Sequence, residues 1–371
     1  MTAIRVLIVD DSAAARRALS DLLSEDPDIV VSGLAKDAFD AADKMREDLP
    51  DVILLDLELP RMDGLTFLKK IMSQRPIPVV ICSSHTAAGS SAALKALELG
   101  ACDVVGKPKL HSPQARLEAQ VRLTDAVRAA SHARHLRGHT SPKRVAPLPR
   151  AAASGVGPKL TADAILPPPR LGGAMTLDME PVVVIGASTG GTEALAQVLK
   201  ALPTDCPPIA IVQHMPEKFT AAFAKRLNSM CAIEVREAKQ SDQPARGVAL
   251  IAPGDHHILL RRKGRGYRID VVDGPQVSRH RPSVDVLFRS TAICAGKYAI
   301  GFLLTGMGDD GAKGLLELKQ AGADTIIQDE ASSVVWGMPG EAFKLGASNR
   351  AIALNKVAAE IMRFHADNRI H

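Results

Sequence analysis

Aromatic residues and paired cysteines are scarce in this chain of 371 residues, and each shortage excludes a class of protein. Phe, Trp and Tyr together supply 3% of the residues, so the hydrophobic cores have to be built from aliphatic side chains. The five cysteines are scattered and include no Cys-x-x-Cys pair. That pattern excludes a disulfide framework and a zinc ribbon, and it is typical of a protein in a reducing cytoplasm.

Long apolar runs and a strong excess of charge are also absent. No apolar run approaches the roughly 18 residues that a membrane-spanning helix requires. The apolar N-terminal run ends at Asp10-Asp11 without a small-residue cleavage site, so we expect no signal peptide. A net charge of +5 with 46% apolar residues excludes a disordered chain and a uniformly basic nucleic-acid coat. We therefore expect a cytoplasmic protein without membrane insertion and, at ~100–200 residues per domain, two domains.

A basic, proline-rich segment separates the two halves of the chain. Residues 109–179 contain 8 of the 24 prolines and carry a net charge of +7, which leaves −2 for the rest. Helical spacing persists through 109–136, whereas 137–177 show no period and indicate a flexible tether. No aromatic residues are interleaved with the basic ones, so a tether is favoured over a nucleic-acid or lipid contact. We predict a first domain over residues 1–125, a linker over 126–179 and a second domain over 180–371.

Short apolar strands alternate with helical segments throughout the first domain. The strands are too apolar to have one exposed face, which is typical of a parallel sheet covered by helices on both sides. Such α/β sheets place their chemistry at the carboxyl ends of the strands. Polar residues stand at or just after these ends: Asp10, Asp11, Asp56, Ser83 and Lys107.

These strand-end residues together predict a phosphoryl-acceptor site. Three carboxylates at one sheet edge repel one another unless a cation lies among them, and an all-oxygen ligand set favours Mg²⁺. A carboxylate between a metal and a lysine is placed to attack phosphorus. Asp56 follows the central apolar strand and is the best candidate nucleophile. Any one of these acids alone is better explained as a cap of the following helix.

The arrangement resembles the receiver domain of two-component response regulators. The resemblance covers residues 1–125 and rests on Asp10-Asp11, Asp56, Pro60, Gly64, Ser83 and Lys107-Pro108. It implies a flavodoxin-like fold, Mg²⁺ held by Asp10, Asp11 and Asp56, and phosphorylation of Asp56 by a histidine kinase. It also implies that the Ser83 hydroxyl moves to the phosphoryl group and that Lys107 is the ion-pair partner. Val104 stands where the family often has a large aromatic residue, so a switch based on an aromatic rotamer is not expected.

Strand and helix patterns return after Pro181 and predict a second α/β domain with a Rossmann-like, doubly wound parallel sheet. Its first strand runs into Gly186-Ala-Ser188-Thr-Gly190-Gly191 and a helix. A dinucleotide-binding turn needs a glycine in place of Ser188 and an acid at the end of the second strand, where Gln213-His214 stand. The pattern Gly186-x-Ser188-x-Gly190 matches a nucleophile elbow instead.

A histidine and an acid at later strand ends strengthen that interpretation. A serine needs a base to become a nucleophile, and the base needs an acid that fixes its tautomer. Ser188, His214 and Asp310 supply this set, in an order that differs from the Ser…Asp…His order of the α/β-hydrolases.

Other residues compete for these roles. His256 and His257 stand at another strand end and are alternative bases, while His214 itself has a helix-capping or core role as its alternative. Asp309 is an alternative acid. His280 is better explained as a contact to substrate or phosphate than as the base.

Four segments of the second domain resemble the signatures of the chemotaxis protein-glutamate methylesterases, the CheB family. They are Gly186-Ala-Ser-Thr-Gly-Gly191, Gln213-His-Met-Pro216, Arg279-His-Arg-Pro-Ser-Val-Asp285 and Leu304-Thr-Gly-Met-Gly-Asp-Asp-Gly311, within residues 180–366. A receiver domain joined to these four segments extends the resemblance to the whole chain except the linker. Ser278 is a small departure, since the family tends to have Asn before the Arg-His-Arg run.

The resemblance implies a phosphorylation-regulated hydrolase. Ser188 would be the nucleophile, His214 the base and Asp310 the orienting acid. The implied substrates are glutamate γ-methyl esters, and certain glutamines, of methyl-accepting chemotaxis receptors, with a chemotaxis histidine kinase as phosphodonor. The esterase half would need no metal or organic cofactor, and phosphorylated Asp56 would uncover Ser188. Supporting contacts to the oxyanion or substrate are expected from Thr189, Gly190, Arg279 and Met307.

Two other functions compete with this one. A DNA-binding response regulator would use the basic linker as its contact, but a second domain with its own parallel sheet and no short helix-turn-helix pattern argues against it. A degenerate hydrolase acting as a scaffold is the other alternative, and the intact Ser, His and Asp set argues against it.

Overall fold

The computed structural model describes residues 3–83, 87–108, 112–137, 159–169 and 179–368. They form two compact units, each with a parallel sheet of its own. Most of the predicted tether over 137–177 lies outside the described residues. Within these residues, no helix combines the length and apolar character needed to cross a membrane.

Strands and helices alternate in the N-terminal part of the chain. The strands are β1 (Ile4–Val9), β2 (Ile29–Ala35), β3 (Val52–Leu55), β4 (Val79–Ser83) and β5 (Asp103–Gly106). The helices are α1 (Ala13–Ser24), α2 (Ala38–Glu47), α3 (Gly64–Gln74), α4 (Ala87–Glu98) and α5 (Pro113–Arg137). The strand order β2-β1-β3-β4-β5 is that of the flavodoxin-like fold, which confirms the predicted fold class.

Helix α5 extends past residue 125, where the first domain was predicted to end. Val127 and Ala130 are buried in the same hydrophobic core as Leu22 and Leu54. The helix ends at Arg137, close to the point where the helical spacing of the sequence stops. The beginning of the predicted linker is therefore part of the first unit.

The second unit is built around a seven-stranded sheet. Its strands are β6 (Val182–Ala187), β7 (Ile209–Gln213), β8 (Glu234–Glu237), β9 (Val248–Ile251), β12 (Ala299–Leu303), β13 (Asp324–Gln328) and β14 (Ala351–Ile352), and β10 (His257–Lys263) and β11 (Gly266–Val272) form a separate antiparallel hairpin. The helices are α6 (Gly191–Lys200), α7 (Phe219–Met230), α8 (Val284–Cys294), α9 (Ala312–Gln320), α10 (Met338–Lys344) and α11 (Val357–Asp367). The hairpin and the outer strands are short or carry charged residues, which hides their apolar pattern in the sequence.

The strand order predicts a crevice at the edge of the second sheet where the candidates Ser188, His214 and Asp310 stand. The order is β14-β13-β12-β6-β7-β9-β8, with every recorded pair parallel. From β6 the chain adds β7, β9 and β8 on one side of the sheet. It then returns and pairs β12 with the other side of β6, followed outward by β13 and β14. The connections therefore lead away in opposite directions from β6 and β12. Open α/β sheets bind their ligands outside the carboxyl ends of the strands at such a point.

Residues 160–166, which we call the strap, pack against the second unit although they fall within the predicted linker. Ala162 and Leu166 are buried with Leu259 and Val286. Arg289 of α8 binds the strap, with Nη1 2.6 Å from Asp163 Oδ1 and 3.1 Å from the carbonyl oxygen of Leu166. The end of the predicted linker is therefore part of the second unit.

Arg289 joins the strap to α9 through ion pairs with Asp163 and Glu317. Its side chain is 7% exposed and also makes two hydrogen bonds to Glu317, of 2.8 and 2.5 Å. Substitution Arg289→Met leaves the half-buried Glu317 carboxylate without its cation, and we expect a loss of about 3 kcal/mol in the free energy of unfolding. Urea unfolding followed by the fluorescence of Trp336, the single tryptophan, reports on this unit.

Lys344→Met is the matched control, because the Lys344–Glu341 pair is solvent-exposed at 51% and 39% of the two side chains. It should cost less than about 1 kcal/mol. Equal costs for the two variants would show that the strap is not anchored through Arg289.

Candidate active site

The turn between β6 and α6 presents Ser188 at the carboxyl edge of the second sheet. The Ser188 N–H donates to the carbonyl oxygen of Thr305 at 3.0 Å, and Gln213 Nε2 donates to the Ser188 carbonyl oxygen at 2.9 Å. A Cβ atom at Gly306 would lie 2.7 Å from Ser188 Cβ, so only glycine permits this close approach. These contacts hold the serine at the N-terminal end of α6, where the helix dipole favours a negative charge.

His214 lies beside this turn because of the sheet register. Gln213 pairs with Ala187 across β6 and β7, so the next residue in each strand, His214 and Ser188, stand side by side. His214 Nε2 is 2.8 Å from Asp310 Oδ2. The Nδ1 atom is buried and makes no hydrogen bond within the described part of the chain. The structure therefore shows no hydrogen bond between Ser188 and Nδ1 of the His214 ring.

Every lone pair of the Asp310 carboxylate is used. Besides His214, Oδ2 accepts from the N–H of Val284 at 2.8 Å, while Oδ1 accepts from Ser283 Oγ at 2.8 Å and from the N–H of Asp285 at 3.0 Å. Full burial alone would raise the pKa of Asp310, but the hydrogen bond and charge of His214 and the N–H of Asp285 outweigh it and hold the pKa below its ordinary value. Asp310 is therefore an ionised acceptor that aims the His214 ring.

The competing residues occupy other places. Asp309 is partly exposed, and Asp310, not Asp309, contacts His214. His256 is 41% exposed and pairs with Asp273. His280 stacks on the His214 ring, with 3.7 Å between ring centroids and an interplanar angle of 10°.

His257 supports the site from inside the core. Its Nδ1 accepts from the N–H of Ser283 at 3.2 Å, and its Nε2 donates to the carbonyl oxygen of Pro275 at 2.9 Å. The bond from Ser283 requires an unprotonated Nδ1 and therefore a neutral ring, whereas the bond to Pro275 can form in either protonation state. Burial lowers the pKa of His257, an effect that the Pro275 hydrogen bond only partly opposes.

The residues named for supporting contacts line the same edge. Thr189 is buried, and its carbonyl oxygen accepts from Thr305 Oγ1 at 3.0 Å. Gly190 has φ of +78°, and Arg279 has φ of +68° in the loop before α8. Met307 follows Gly306 in the loop after β12. Sequence reasoning missed Gln213 and Ser283, whose residue types carry no catalytic signal, although both stand within or beside the quoted motifs.

The first unit gathers its polar strand-end residues in the same way. Lys107 Nζ lies 2.6 Å from Asp56 Oδ2 and 2.9 Å from Asp10 Oδ2. Carboxylate oxygens of Asp10, Asp11 and Asp56 all lie within 4.8 Å of one another. Ser83, buried at the end of β4, stands on the strand next to β3, which leads into Asp56.

These acids do not cap the neighbouring helices, which was their alternative explanation. The N-cap of α1 is Ser12 and that of α3 is Asp63, each accepting from a backbone N–H of the first turn. Burial raises the pKa of Asp56, an effect that the ion pair with Lys107 opposes and the charge of Asp10 reinforces.

The donor set fits Mg²⁺. Three carboxylates and one ammonium group carry a net charge of −2 when all are ionised, which one divalent cation neutralises, and all the donors are oxygen atoms. Asp11 is exposed, so water can complete the coordination shell at this edge.

Comparison with known proteins matches a family to each half of the chain. The sequence profile of the CheB methylesterase family matches residues 183–361, and that of the response regulator receiver domain matches residues 6–121. The chain is 57% identical to protein-glutamate methylesterase/protein-glutamine glutaminase 3 of Geobacter metallireducens, over 98% of this chain and 99% of the relative. It is 56% identical to protein-glutamate methylesterase/protein-glutamine glutaminase 2 of Rhodospirillum rubrum, over 99% of each chain.

The chain belongs to the protein-glutamate methylesterase/protein-glutamine glutaminase family. Among solved structures, the Thermotoga maritima CheB methylesterase catalytic domain is 33% identical and covers 50% of this chain and 98% of its own, with a TM-score of 0.48. The response regulator domain of Thermotoga maritima CheB is 41% identical and covers 35% of this chain and 96% of its own, with a TM-score of 0.31. The family assignment confirms the resemblance drawn from the sequence motifs and joins a receiver domain to a methylesterase domain in one chain.

Neutral His257 makes the stability of the second unit depend on pH. Its folded-state pKa lies below the ordinary value of about 6.5, so its contribution is complete above that pH and falls as the pH drops toward the folded-state pKa. We expect His257→Asn, which keeps an acceptor for the Ser283 N–H, to reduce the slope of unfolding free energy against pH between pH 7 and 5 by up to about 1.4 kcal/mol per pH unit. Urea unfolding at several pH values, followed by Trp336 fluorescence, measures this slope.

His256→Asn is the control, since that ring is half exposed beside Asp273 and should leave the slope nearly unchanged. An unaltered slope in His257→Asn would mean that His257 does not stay neutral in the folded protein.

Proposed function

We propose that this chain hydrolyses glutamate γ-methyl esters of chemoreceptors, releasing methanol, and deamidates receptor glutamines to glutamate, under the control of phosphorylation at Asp56. The observation that carries the proposal is the Ser188 turn placed beside the His214–Asp310 pair, in a chain that is 57% identical to an enzyme named for both reactions. The partners are then methyl-accepting receptors as substrate and a chemotaxis histidine kinase as phosphodonor. We place the reaction in the cytoplasm, in keeping with five free cysteines.

Both reactions use one acyl-enzyme mechanism. Ser188 Oγ attacks the side-chain carbonyl carbon while its proton passes to His214. The tetrahedral intermediate collapses, the C–O bond to methoxide or the C–N bond to the amide nitrogen breaks, and His214 returns the proton so that methanol or ammonia leaves. Water then adds to the glutamyl ester with its proton taken by His214, and glutamate and free Ser188 are released.

The hydrogen-bond pattern favours His214 Nδ1 as the proton acceptor. Ionised Asp310 accepts from Nε2, so in the neutral ring the hydrogen is on Nε2 and the lone pair is on Nδ1. In the serine protease template the two nitrogens have the opposite roles. The buried and unpartnered Nδ1 is thus the atom toward which the Ser188 hydroxyl has to turn.

Stabilisation of the oxyanion comes from the backbone around the serine turn. Thr189 and Gly190 begin the turn into α6, and Met307 lies in the loop that touches Ser188 through Gly306. Backbone N–H groups fixed in this way stabilise developing negative charge without reorganisation. Arg279, in the loop before α8, supplies a positive charge for the substrate.

Regulation resides in the first unit. Asp56 accepts the phosphoryl group, with its Oδ2 already 2.6 Å from Lys107, whose ammonium takes up charge on the phosphoryl oxygens. Asp10, Asp11 and Asp56 would hold Mg²⁺, which when bound neutralises charge on the phosphoryl group. The buried Ser83 hydroxyl then turns toward the phosphoryl group and changes the local packing.

Ser188→Ala removes the nucleophile without adding bulk, so the fold is kept and both activities fall by at least about 10³-fold. Methanol release from methylated receptor and ammonia release from a glutamine-bearing receptor measure the two reactions on the full-length protein. Ser229→Ala is the matched control, because that serine is exposed on α7 and bonds only its own helix. A Ser188→Ala variant that retained a tenth of the wild-type rate would remove Ser188 from the nucleophile role.

Asp56→Asn removes the phosphoryl acceptor and should leave the enzyme at its basal rate whether or not a small-molecule phosphodonor is present. Chelation of Mg²⁺ should abolish the response of the wild type to phosphodonor and leave its basal methanol release unchanged. Asp63→Asn is the control, since Asp63 caps α3 and should leave the response to phosphodonor intact. Activation of Asp56→Asn by phosphodonor would place the acceptor elsewhere.

A further inference from the structure

We propose that Asp285 is a positioning residue for the reaction, whose buried carboxylate fixes both the acid and the loop that hold the His214 ring. The inference rests on the proposed roles of Ser188, His214 and Asp310. Asp285 lies in the first turn of α8, and the acyl-enzyme mechanism assigns no step to it.

The carboxylate of Asp285 caps α9. It is 3% exposed, and its Oδ1 accepts from the N–H of Gly311 at 3.0 Å and from the N–H of Gly314 at 2.7 Å. These N–H groups begin α9 and have no acceptor within the helix. Gly311 directly follows Asp310, so the bond to Gly311 fixes the peptide unit that carries the catalytic acid.

Asp310 caps α8 in return. It accepts from the N–H groups of Val284 and Asp285, the first two residues of that helix. Asp310 thus caps α8, the helix that carries Asp285, and Asp285 caps α9, the helix that follows Asp310. A Cβ atom at Gly314 would lie 2.9 Å from both Cα and the carbonyl oxygen of Asp285, so the two helices touch backbone to backbone. A displacement of the N-terminal end of α8 or α9 therefore also displaces the Asp310 carboxylate.

The second oxygen of Asp285 holds the loop beneath the histidine ring. Oδ2 accepts from Ser278 Oγ at 2.8 Å. Ser278 and Arg279 have positive φ of 51° and 68°, an uncommon conformation that the surroundings have to enforce. The next residue is His280, whose ring stacks on His214 at 3.7 Å. The Asp285 carboxylate therefore supports two contacts of the His214 ring. One is the hydrogen bond between its Nε2 atom and Asp310, and the other is the stacking of its face on His280.

This role predicts a loss in the chemical step more than in substrate binding. A misplacement of about 1 Å in a catalytic group lowers the rate by roughly 10²-fold. Asp285→Ala should thus lower kcat for methanol release by about 10²-fold with KM changed less than about threefold. Asp285→Asn keeps an acceptor oxygen for the two α9 N–H groups and an amide that can donate to Ser278 Oγ, so it should retain kcat within about tenfold.

The experiment compares these variants in the full-length protein, with Trp336 fluorescence to count folded molecules. Ser278→Ala cuts only the loop contact and should lower kcat by several-fold at constant KM. The rate at which a fluorophosphonate labels Ser188 should fall in the same order, because this reaction needs no receptor docking. Asp242→Ala is the control: that half-buried acid binds Arg236 beside β8, three strands from β6, and should leave kcat unchanged.

Three results would overturn the proposal: wild-type kcat per folded molecule in Asp285→Ala, equal losses in Asp285→Asn and Asp285→Ala, or a rise in KM at constant kcat. If Asp285→Ala does not fold, Asp285→Ser, which keeps one acceptor oxygen, takes its place with the same outcomes. Ser188→Ala and Asp310→Ala run in parallel. An active Ser188→Ala variant would refute the proposed mechanism itself, whereas inactive Ser188→Ala with fully active Asp285 variants would refute only the positioning role.

Discussion

The candidate active site depends on the Asp310 carboxylate and its four hydrogen bonds. A buried charge is stable only when its polar atoms are satisfied, and here two helix N–H groups, a serine hydroxyl and the His214 ring satisfy it. Because the same bonds begin α8 and orient His214, stability and catalytic geometry have one physical origin. The sheet register brings the Ser188 turn beside His214, and hydrogen bonds with Thr305 and Gln213 hold the turn there.

In both units the candidate site lies at the carboxyl edge of a parallel sheet, but the pKa of the central acid is shifted in opposite directions. In the first unit, acids from different strand ends converge, and burial raises the pKa of Asp56 despite its ion pair with Lys107. That cluster is suited to a divalent cation and a phosphoryl group. In the second unit, the Asp310 carboxylate is surrounded by donors that lower its pKa, which suits the stabilisation of a positively charged imidazole. The difference follows from the balance between burial, which raises the pKa of both acids, and the hydrogen bonds and charges around them, which outweigh burial at Asp310 but not at Asp56.

Most of the architecture was accessible from the sequence, because buried parallel strands are apolar runs with polar residues at their carboxyl ends. A parallel sheet in each half of the chain follows from that pattern, whereas the flavodoxin-like order of the first sheet was implied by the resemblance to receiver domains. The hairpin β10–β11 did not follow, since Arg261, Arg262 and Lys263 interrupt its apolar residues. The strap was assigned to the linker because it is too short to show a periodic pattern and is followed directly by Pro167-Pro168-Pro169, although Arg289 binds it.

The sequence by itself determined which residue types stand at the strand ends, and hence the candidates Ser188, His214, Asp310 and Asp56, because strand-end position depends on local pattern alone. Only the tertiary structure decided between Asp310 and Asp309 as partner of His214, and it turned His257 from an alternative base into a buried support. It also gave Ser283 and Asp285 their contacts. Those distinctions depend on which side chains meet across helices far apart in the chain, and a local pattern carries no information about the distance between α8 and α9.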